Sequence, residues 1–488
     1  MHTTAPSPSP APGPVARPVR SLAPDLARGL MLALIAIANV SWLLWGHGSV
    51  GMTPHVPAQT LSDQVLQFLM TIMVDHRALP LFAFLFGYGM VQFYRSRIDR
   101  GIPPQIVRIM MRRRHWGMIL LGLLHAALLF YGDILGAYGL AAVLLVWIFF
   151  DRRDRTLRIW ICVIAAIMTL FALFSLFGGV MTTLFTPDDV LAEMAAGTQA
   201  FSPELLRDLA YAQSYPVTVL VRAGLWVPTT IQGALTMVVP LAIMLGWLAA
   251  RHRVLDEPWN HVPMLRRLAI GGIALGWLTG LPDALMIAGL LPLPEAVYWM
   301  FAGMNYLGGL ICGLGYAAAF ALLAMRLEGR TAPPEPAPVT ASAGPESSAV
   351  TGPAAPESSA ITGPVEPDPS ALTPAQLAYG VPAWTDGPAP GRSPGPLPRA
   401  LSAVGQRSLT FYLLQSVLLV PLMASWGLGI APHISTTGAV AIAFAVWLLC
   451  LPIASVMDAR GMRGPAERLL RAMTYGKHDP RPGRAHPR

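Results

Sequence analysis

The chain has 488 residues, of which 54% are hydrophobic and 12% charged, with a formal net charge of +8. Soluble domains carry roughly a quarter of their residues as charges, so the polar surface of a soluble protein is missing and the class is polytopic membrane protein. The positive excess is almost all arginine, Lys477 being the only lysine, and no basic face interleaved with aromatics stands out, which excludes nucleic acid as a partner.

In chain order, residues 1–20 are Pro, Ala and Ser with Arg17 and Arg20, and read as a disordered tail. The first apolar run, 26–45, is too long for a signal-peptide core and no A-x-A site follows it, so a retained span is predicted. Further runs lie at 76–94, 115–131, 134–150, 158–180, 228–250, 268–290, 297–325, 402–426 and 436–457. A crossing takes about 20 apolar residues as helix, because every backbone polar group must be bonded internally, and about ten helices result. The predicted fold is an all-α, polytopic membrane helix bundle. Arg95, Arg97, Arg100, Arg108, Arg112, Arg113 and Arg114, then Arg152 to Arg158, cluster on one side of it. The other side holds Arg207 and Arg222 in its loops and Arg77 at the start of 76–94. The positive-inside rule then places both termini in the cytoplasm.

Between the spans, the outer loop 181–227 contains "TPDD" and "SPELLRD", two helix starts with Thr186 and Ser202 as N-caps and acidic residues in the first turn. Two short surface helices are expected there, capping a cavity or connecting spans. Gly272, Gly276 and Gly280, and Gly309 with Gly313, recur every four residues, the spacing that lets membrane helices approach closely. Residues 328–398 are rich in Pro, Ala and Ser and contain a near-duplicate, GPESSAVTGP against APESSAITGP. They read as a flexible cytoplasmic linker dividing a main bundle, 21–327, from two last spans, 399–475, with a short tail at 476–488. Cys162, Cys312 and Cys450 fall inside apolar runs without paired spacing, so neither a disulfide framework nor a metal site is indicated.

Polar groups buried in lipid are expensive and face the protein interior or a wet cavity. At about 1.5 Å per residue, His125 and Asn39 each lie roughly 9 Å below the outer end of their runs. Arg77 opens its run from outside, Asp133 starts 134–150 at the outer edge, and Gln232 and Asn305 fall in the outer half of theirs. This inventory of a base, a carboxylate, a guanidinium and amides suits an outward-opening site. His125 and Asp133 are the expected catalytic pair, the carboxylate orienting an imidazole that takes a proton from a hydroxyl or amine. Arg77, Asn39, Gln232 and Asn305 are expected to bind substrate. Each residue also has a structural reading: a bond to a facing carbonyl, snorkelling, a helix cap, or an interhelical bond. At the inner face Asp25, Arg28, Arg112 and Arg113 either anchor to anionic lipid or form the mouth for an anionic donor.

"DLARGLMLALIAIANV", "RALPLFAFLFGYGM", "LLGLLHAALLFYGDILGAYGL", "AVGQRSLTFYLLQS" and the closing "GPAERLLRAMTYG" together resemble the YeiB-like bacterial membrane proteins, grouped as domain of unknown function 418. The resemblance covers nearly all the chain except the N-terminal tail and the 328–398 linker, which reads as an insertion. It implies a multi-span protein of the bacterial plasma membrane with no assigned reaction. Through the Arg-Gly opening of the first span and the aromatic-Gly second span, the family is distantly similar to transmembrane acyltransferases, in whose heparan-acetylating branch a histidine of the first outer loop is catalytic. His47 and His55 occupy that loop here without a matching surrounding pattern, so that role is not transferred to them. With the polar site, that distant similarity gives the first expectation: acyl transfer from a cytosolic thioester, acyl-CoA being the donor class, to an envelope glycan or lipid acceptor, with no bound cofactor. A transporter or lipid-handling permease and a non-catalytic assembly partner are the alternatives, and the sequence leaves the oligomeric state open.

Overall fold

The computed structural model describes residues 22–198, 202–329 and 395–475, all the regular structure in them being helical. The N-terminal tail, most of the 328–398 linker and the 476–488 tail lie outside the described residues. The chain runs through α1 (Ala23–Val40), α2 (Leu61–Met73), α3 (Ala78–Ile98), α4 (Pro104–Leu128), α5 (Ile134–Phe149) and α6 (Asp154–Phe185). It continues with α7 (Asp188–Thr198), α8 (Pro203–Tyr211), α9 (Tyr215–Leu235), α10 (Val238–Arg251), α11 (Val262–Ile287) and α12 (Ala302–Leu327). After the break come α13 (Pro396–Gln406), α14 (Ser408–Met423), α15 (Thr436–Ala459) and α16 (Pro465–Tyr475).

Among the described residues six helical stretches are long and apolar enough to cross a membrane: Ala23–Leu43, Leu61–Ile98, Asp154–Phe185, Pro258–Ile287, Glu295–Leu327 and Thr436–Ala459. The count reaches seven if α9 and α10, bent by 50° against each other, make one crossing. This all-α membrane bundle therefore has fewer qualifying spans than the ten apolar runs suggest. The run 115–131 is the second part of α4, whose first part carries Arg108 and Arg112 to Arg114. The runs 134–150 and 402–426 yield α5 and α14, of 16 residues each, short of a full crossing by length alone. α6 is the most outward-facing span, with 17% of its apolar window buried, whereas the α1 window is 56% buried and sits inside the bundle.

Close backbone contact holds the two parts of the chain together. A Cβ on Gly405 of α13 would fall on the Asp25 carbonyl of α1, and one on Gly29 of α1 would fall on the Leu401 carbonyl of α13. Reciprocal glycines thus let the segment after the linker pack against the first helix. On α11, Gly272 and Gly276 face α12 as the spacing suggests, while Gly280 leaves room for the Arg77 guanidinium. Glu467, near the start of α16, accepts hydrogen bonds from Leu409 N at 2.9 Å and Thr410 N at 3.1 Å, capping α14 from another helix.

At the opposite end, two short helices form in the 181–227 segment. Ser202 caps α8 by accepting from Leu205 N at 3.2 Å, whereas Thr186 terminates α6 instead of starting α7. Arg207 of α8 is fully buried and donates to the carbonyls of Ser41, Pro54, His47 and Gly48. Arg222 of α9 donates to the carbonyls of Ala127, Leu128 and Ala210. These two arginines satisfy loop and helix-end carbonyls that lipid and protein would otherwise leave bare.

Gly405→Val overpacks the α1–α13 contact and is expected to cost about 1–3 kcal/mol. The midpoint of thermal unfolding in detergent should fall accordingly, while Gly224→Ala, which meets nothing within 4 Å, leaves it unchanged or slightly raised.

Candidate functional site

The loop between α4 and α5 turns back so that the end of one helix meets the start of the next. Asp133 is the N-cap of α5: its Oδ2 accepts from Gly136 N at 2.7 Å, which satisfies one of the unpaired amides of that helix start. Its Oδ1 lies 2.8 Å from His125 Nδ1, with both side chains essentially sealed from solvent at 0% and 1% exposure. Gly122, one turn before His125, makes this possible, since a Cβ there would land on Asp133 Oδ2 and Gly136 N. The second ring nitrogen, His125 Nε2, is 2.9 Å from Ser416 Oγ on α14. An ionised carboxylate accepts from Nδ1–H, and in the neutral imidazole that leaves Nε2 to accept from the serine hydroxyl. Ser416, His125 and Asp133 form one hydrogen-bonded line. This order of hydroxyl, imidazole and carboxylate can activate an oxygen nucleophile or relay a proton.

Two cavities lie beside this line, and Tyr412 borders both. The larger, about 680 Å³, runs from the arginine-rich end of the bundle to Ile134, Leu135 and Tyr412. The smaller, about 10 Å³, holds room for roughly one water and is bounded by Asn39, Phe130, Tyr412 and Ser416 among others. Tyr412 is tethered weakly: its hydroxyl is 3.5 Å from Asp133 Oδ1 and 3.4 Å from Ile134 N, beyond the usual hydrogen-bond range.

The walls of the larger cavity carry Arg28, Arg95, Arg97, Arg100 and Arg114 against Asp25, Asp99, Asp256 and Glu467. Several of these charges are matched. Arg28 Nη1 is 3.2 Å from Asp25 and Arg95 Nη2 is 3.6 Å from Asp256. Glu467 is occupied as the cap of α14. Burial raises the carboxyls of Asp99 and Asp256 above their ordinary range, with Arg95 opposing the shift in both. Arg114 makes no hydrogen bond or ion pair among the described residues and rests over the Phe93 ring, 5.5 Å from its centroid. The lining is therefore biased toward binding an anion.

The residues expected to share one outer pocket divide into two groups. His125 and Asp133 are joined, and Asn39 borders the small cavity beside Ser416. Arg77 and Asn305 belong to another cluster: Arg77 donates to Asn305, to the Asp75 carbonyl and to the Gly276 carbonyl at 2.7 Å, and Asn305 donates to Asp283. Nearby, His55 Nε2 lies 2.7 Å from Asp75 Oδ2. Among the described residues no hydrogen bond or ion pair links this cluster to His125. Gln232 is exposed on the outer face of α9, apart from both groups. At the arginine-rich end Asp25 and Arg28 line the large cavity, but Arg112 and Arg113 are exposed and Arg114 takes their place. Ser416, Tyr412 and Glu467 are functional candidates the sequence reading missed, although all three sit inside the quoted motifs "AVGQRSLTFYLLQS" and "GPAERLLRAMTYG". Among the described residues no group of three or more His, Cys, Asp and Glu side chains is arranged to hold a metal.

Residues 249–334 and 389–477 match the model of a family described as "Protein of unknown function (DUF418)". The "Uncharacterized protein YxaH" of Bacillus subtilis (strain 168) is 27% identical over 272 residues, 52% of this chain and 63% of that protein. The chain thus spans less than two thirds of that relative's length. No solved structure matches the chain. The second matched segment contains Tyr412, Ser416 and Glu467, the groups that α14 and α16 bring to the cavity, whereas His125 and Asp133 lie outside both segments. Two segments of the chain are thus similar to the DUF418 family, and its apolar helices are those of a multi-pass membrane protein.

Proposed function

We propose that the protein transfers an acyl group from an anionic thioester on the cytoplasmic side of a bacterial plasma membrane to a hydroxyl or amine acceptor on the other side. The observation that carries this reading is the Ser416–His125–Asp133 line, which lies behind Tyr412 in the wall of a cavity lined with arginine. Arginine forks suit phosphate oxygens, and the phosphates of an acyl-CoA would meet them before the thioester reaches Tyr412. Positive-inside topology turns the arginine-rich end to the cytoplasm, where such donors are made, and supports an anionic inner-leaflet lipid beside the exposed Arg112 and Arg113. The Bacillus relative supports the bacterial plasma membrane as the location. The acceptor, an envelope glycan or lipid, would approach from the opposite end, where α8 covers the cluster of Leu43, Phe130, Leu419 and Val420 around the small cavity.

A permease would use the same cavities as a path. Transit without a coupled proton, however, gives no reason for a serine hydroxyl, an imidazole and a carboxylate to lie in hydrogen-bonded order across three helices. That order favours a transferase.

Mass spectrometry of envelope lipids and glycans, with and without the gene, tests the proposal. Loss of an acyl mass on deletion is expected, restored by the wild type but not by His125→Ala or Asp133→Asn at equal membrane abundance. Removing a general base of this kind should lower turnover about 10²–10⁴-fold. An unchanged profile, or full complementation by both variants, overturns the proposal, and altered uptake with an unchanged profile would establish the permease.

Two further outcomes are expected. Gly122→Val, which displaces the Asp133 carboxylate without altering a polar group, should reproduce the Asp133→Asn loss in the same assay. In proteoliposomes supplied with acetyl-CoA, Arg114→Ala should raise the donor KM about tenfold, the worth of one charge-assisted hydrogen bond, with kcat little changed.

A further inference from the structure

We infer that Ser416 carries the acyl group as a covalent ester between two half-reactions, and that Tyr412 is the movable partition admitting the donor to it. This rests on the acyl-transfer reading above and adds to it a nucleophile and a gate.

The first observation is where the Ser416 hydroxyl points. Hydroxyls in membrane helices ordinarily donate back to the carbonyl four residues earlier. Thr71, Thr169, Thr236, Ser455 and Thr474 of this chain do so, to Gln67, Ala165, Gln232, Leu451 and Leu470 at 2.6–2.9 Å. The hydrogen bond described for Ser416 runs instead to His125 Nε2, and the Tyr412 carbonyl receives none from it. An uninvolved helical serine gains its bond locally; this one is aimed at a base whose other nitrogen is fixed by a buried carboxylate.

The second observation is the space in front of the hydroxyl. Ser416 and Asn39 border the same small cavity, and the Asn39 amide has no hydrogen-bond partner among the described residues. An amide donor beside a nucleophile is the arrangement that stabilises the oxyanion of a tetrahedral intermediate. The third is Tyr412, which borders both cavities and is one turn before Ser416 on α14. Its ring closes the vestibule, and its two hydrogen bonds are long enough to break at small cost when a donor pushes in.

In the first half-reaction Ser416 Oγ attacks the thioester carbonyl while its proton passes to His125 Nε2. The C–S bond breaks, the proton leaves with sulfur as a thiol, and an acyl ester remains on Ser416. In the second, an acceptor hydroxyl or amine attacks that ester, its proton passes to Nε2, and the same proton returns to Ser416 Oγ as the ester C–O bond breaks. Asp133 stabilises the imidazolium in both halves.

The full-length protein in nanodiscs, treated with an alkyne-bearing fluorophosphonate and analysed by peptide mass spectrometry, reports on this serine without knowledge of the natural donor. The expected result is an adduct on Ser416, absent from Ser416→Ala and formed at least 100-fold more slowly in His125→Ala. Tyr412→Ala, which removes the partition, should label faster than wild type. Failure to label Ser416 in both wild type and Tyr412→Ala, or labelling that ignores His125→Ala, overturns the inference. The envelope profile of a Ser416→Ala strain separates this from the parent reading. If acyl transfer survives Ser416→Ala but not His125→Ala, the transfer is direct, the ester is refuted and acyl transfer stands. If the profile never depended on the gene, the parent reading has failed and the ester fails with it.

Discussion

A carboxylate without solvent contact persists only where hydrogen bonds replace its water, and a single unpaired one costs several kcal/mol. Asp133 meets that condition with two short partners, Gly136 N and His125 Nδ1, and a longer one in Tyr412. The first is a helix cap, so the group that orients the imidazole also starts α5, with the positive end of the helix dipole favouring its charge. Structure and chemistry are therefore not separable at this residue. Gly122 belongs to the same constraint, because α4 can approach α5 this closely only where no Cβ intervenes.

The remainder of the site comes from the far end of the chain. α13 packs against α1 through reciprocal glycines, α14 presents Tyr412 and Ser416 to His125, and α16 supplies Glu467 to cap α14. The C-terminal segment therefore completes a site begun by α4 and α5. The linker then joins two parts of one site. The cluster around Arg77 resembles this site in composition but differs in kind. Its guanidinium is held through both Nη atoms by Asn305 and by two carbonyls, so it braces the α2–α3 break against α11 and α12.

The His125–Asp133 pair was legible because the two residues flank one short turn, so shared depth implied proximity. Ser416 is 291 residues from His125, and a serine in an apolar helix carries no signal of its own. Depth along a helix can be read from sequence, but azimuth cannot. That is why Gln232, at a suitable depth, proved to face outward, and why Arg77 and Asn305 found each other and not His125. The arginines before 115 looked like a loop because charge interrupts the apolar pattern. They are the first turns of α4, opened by Pro103 and Pro104, and Arg114 rather than its neighbours turns toward the cavity. The span count follows the same logic: apolar runs mark helices, but not whether each is long enough to cross, and six or seven of the described stretches are.

The central claim is that the vestibule ending at Tyr412 opens to the cytoplasm. Substituted-cysteine labelling tests it most directly, using Ser408→Cys on the vestibule wall in a background with Cys162, Cys312 and Cys450 replaced. A membrane-impermeant maleimide should modify this cysteine in inverted membrane vesicles and leave it untouched in intact cells. Modification in intact cells, or in neither preparation, would contradict the account.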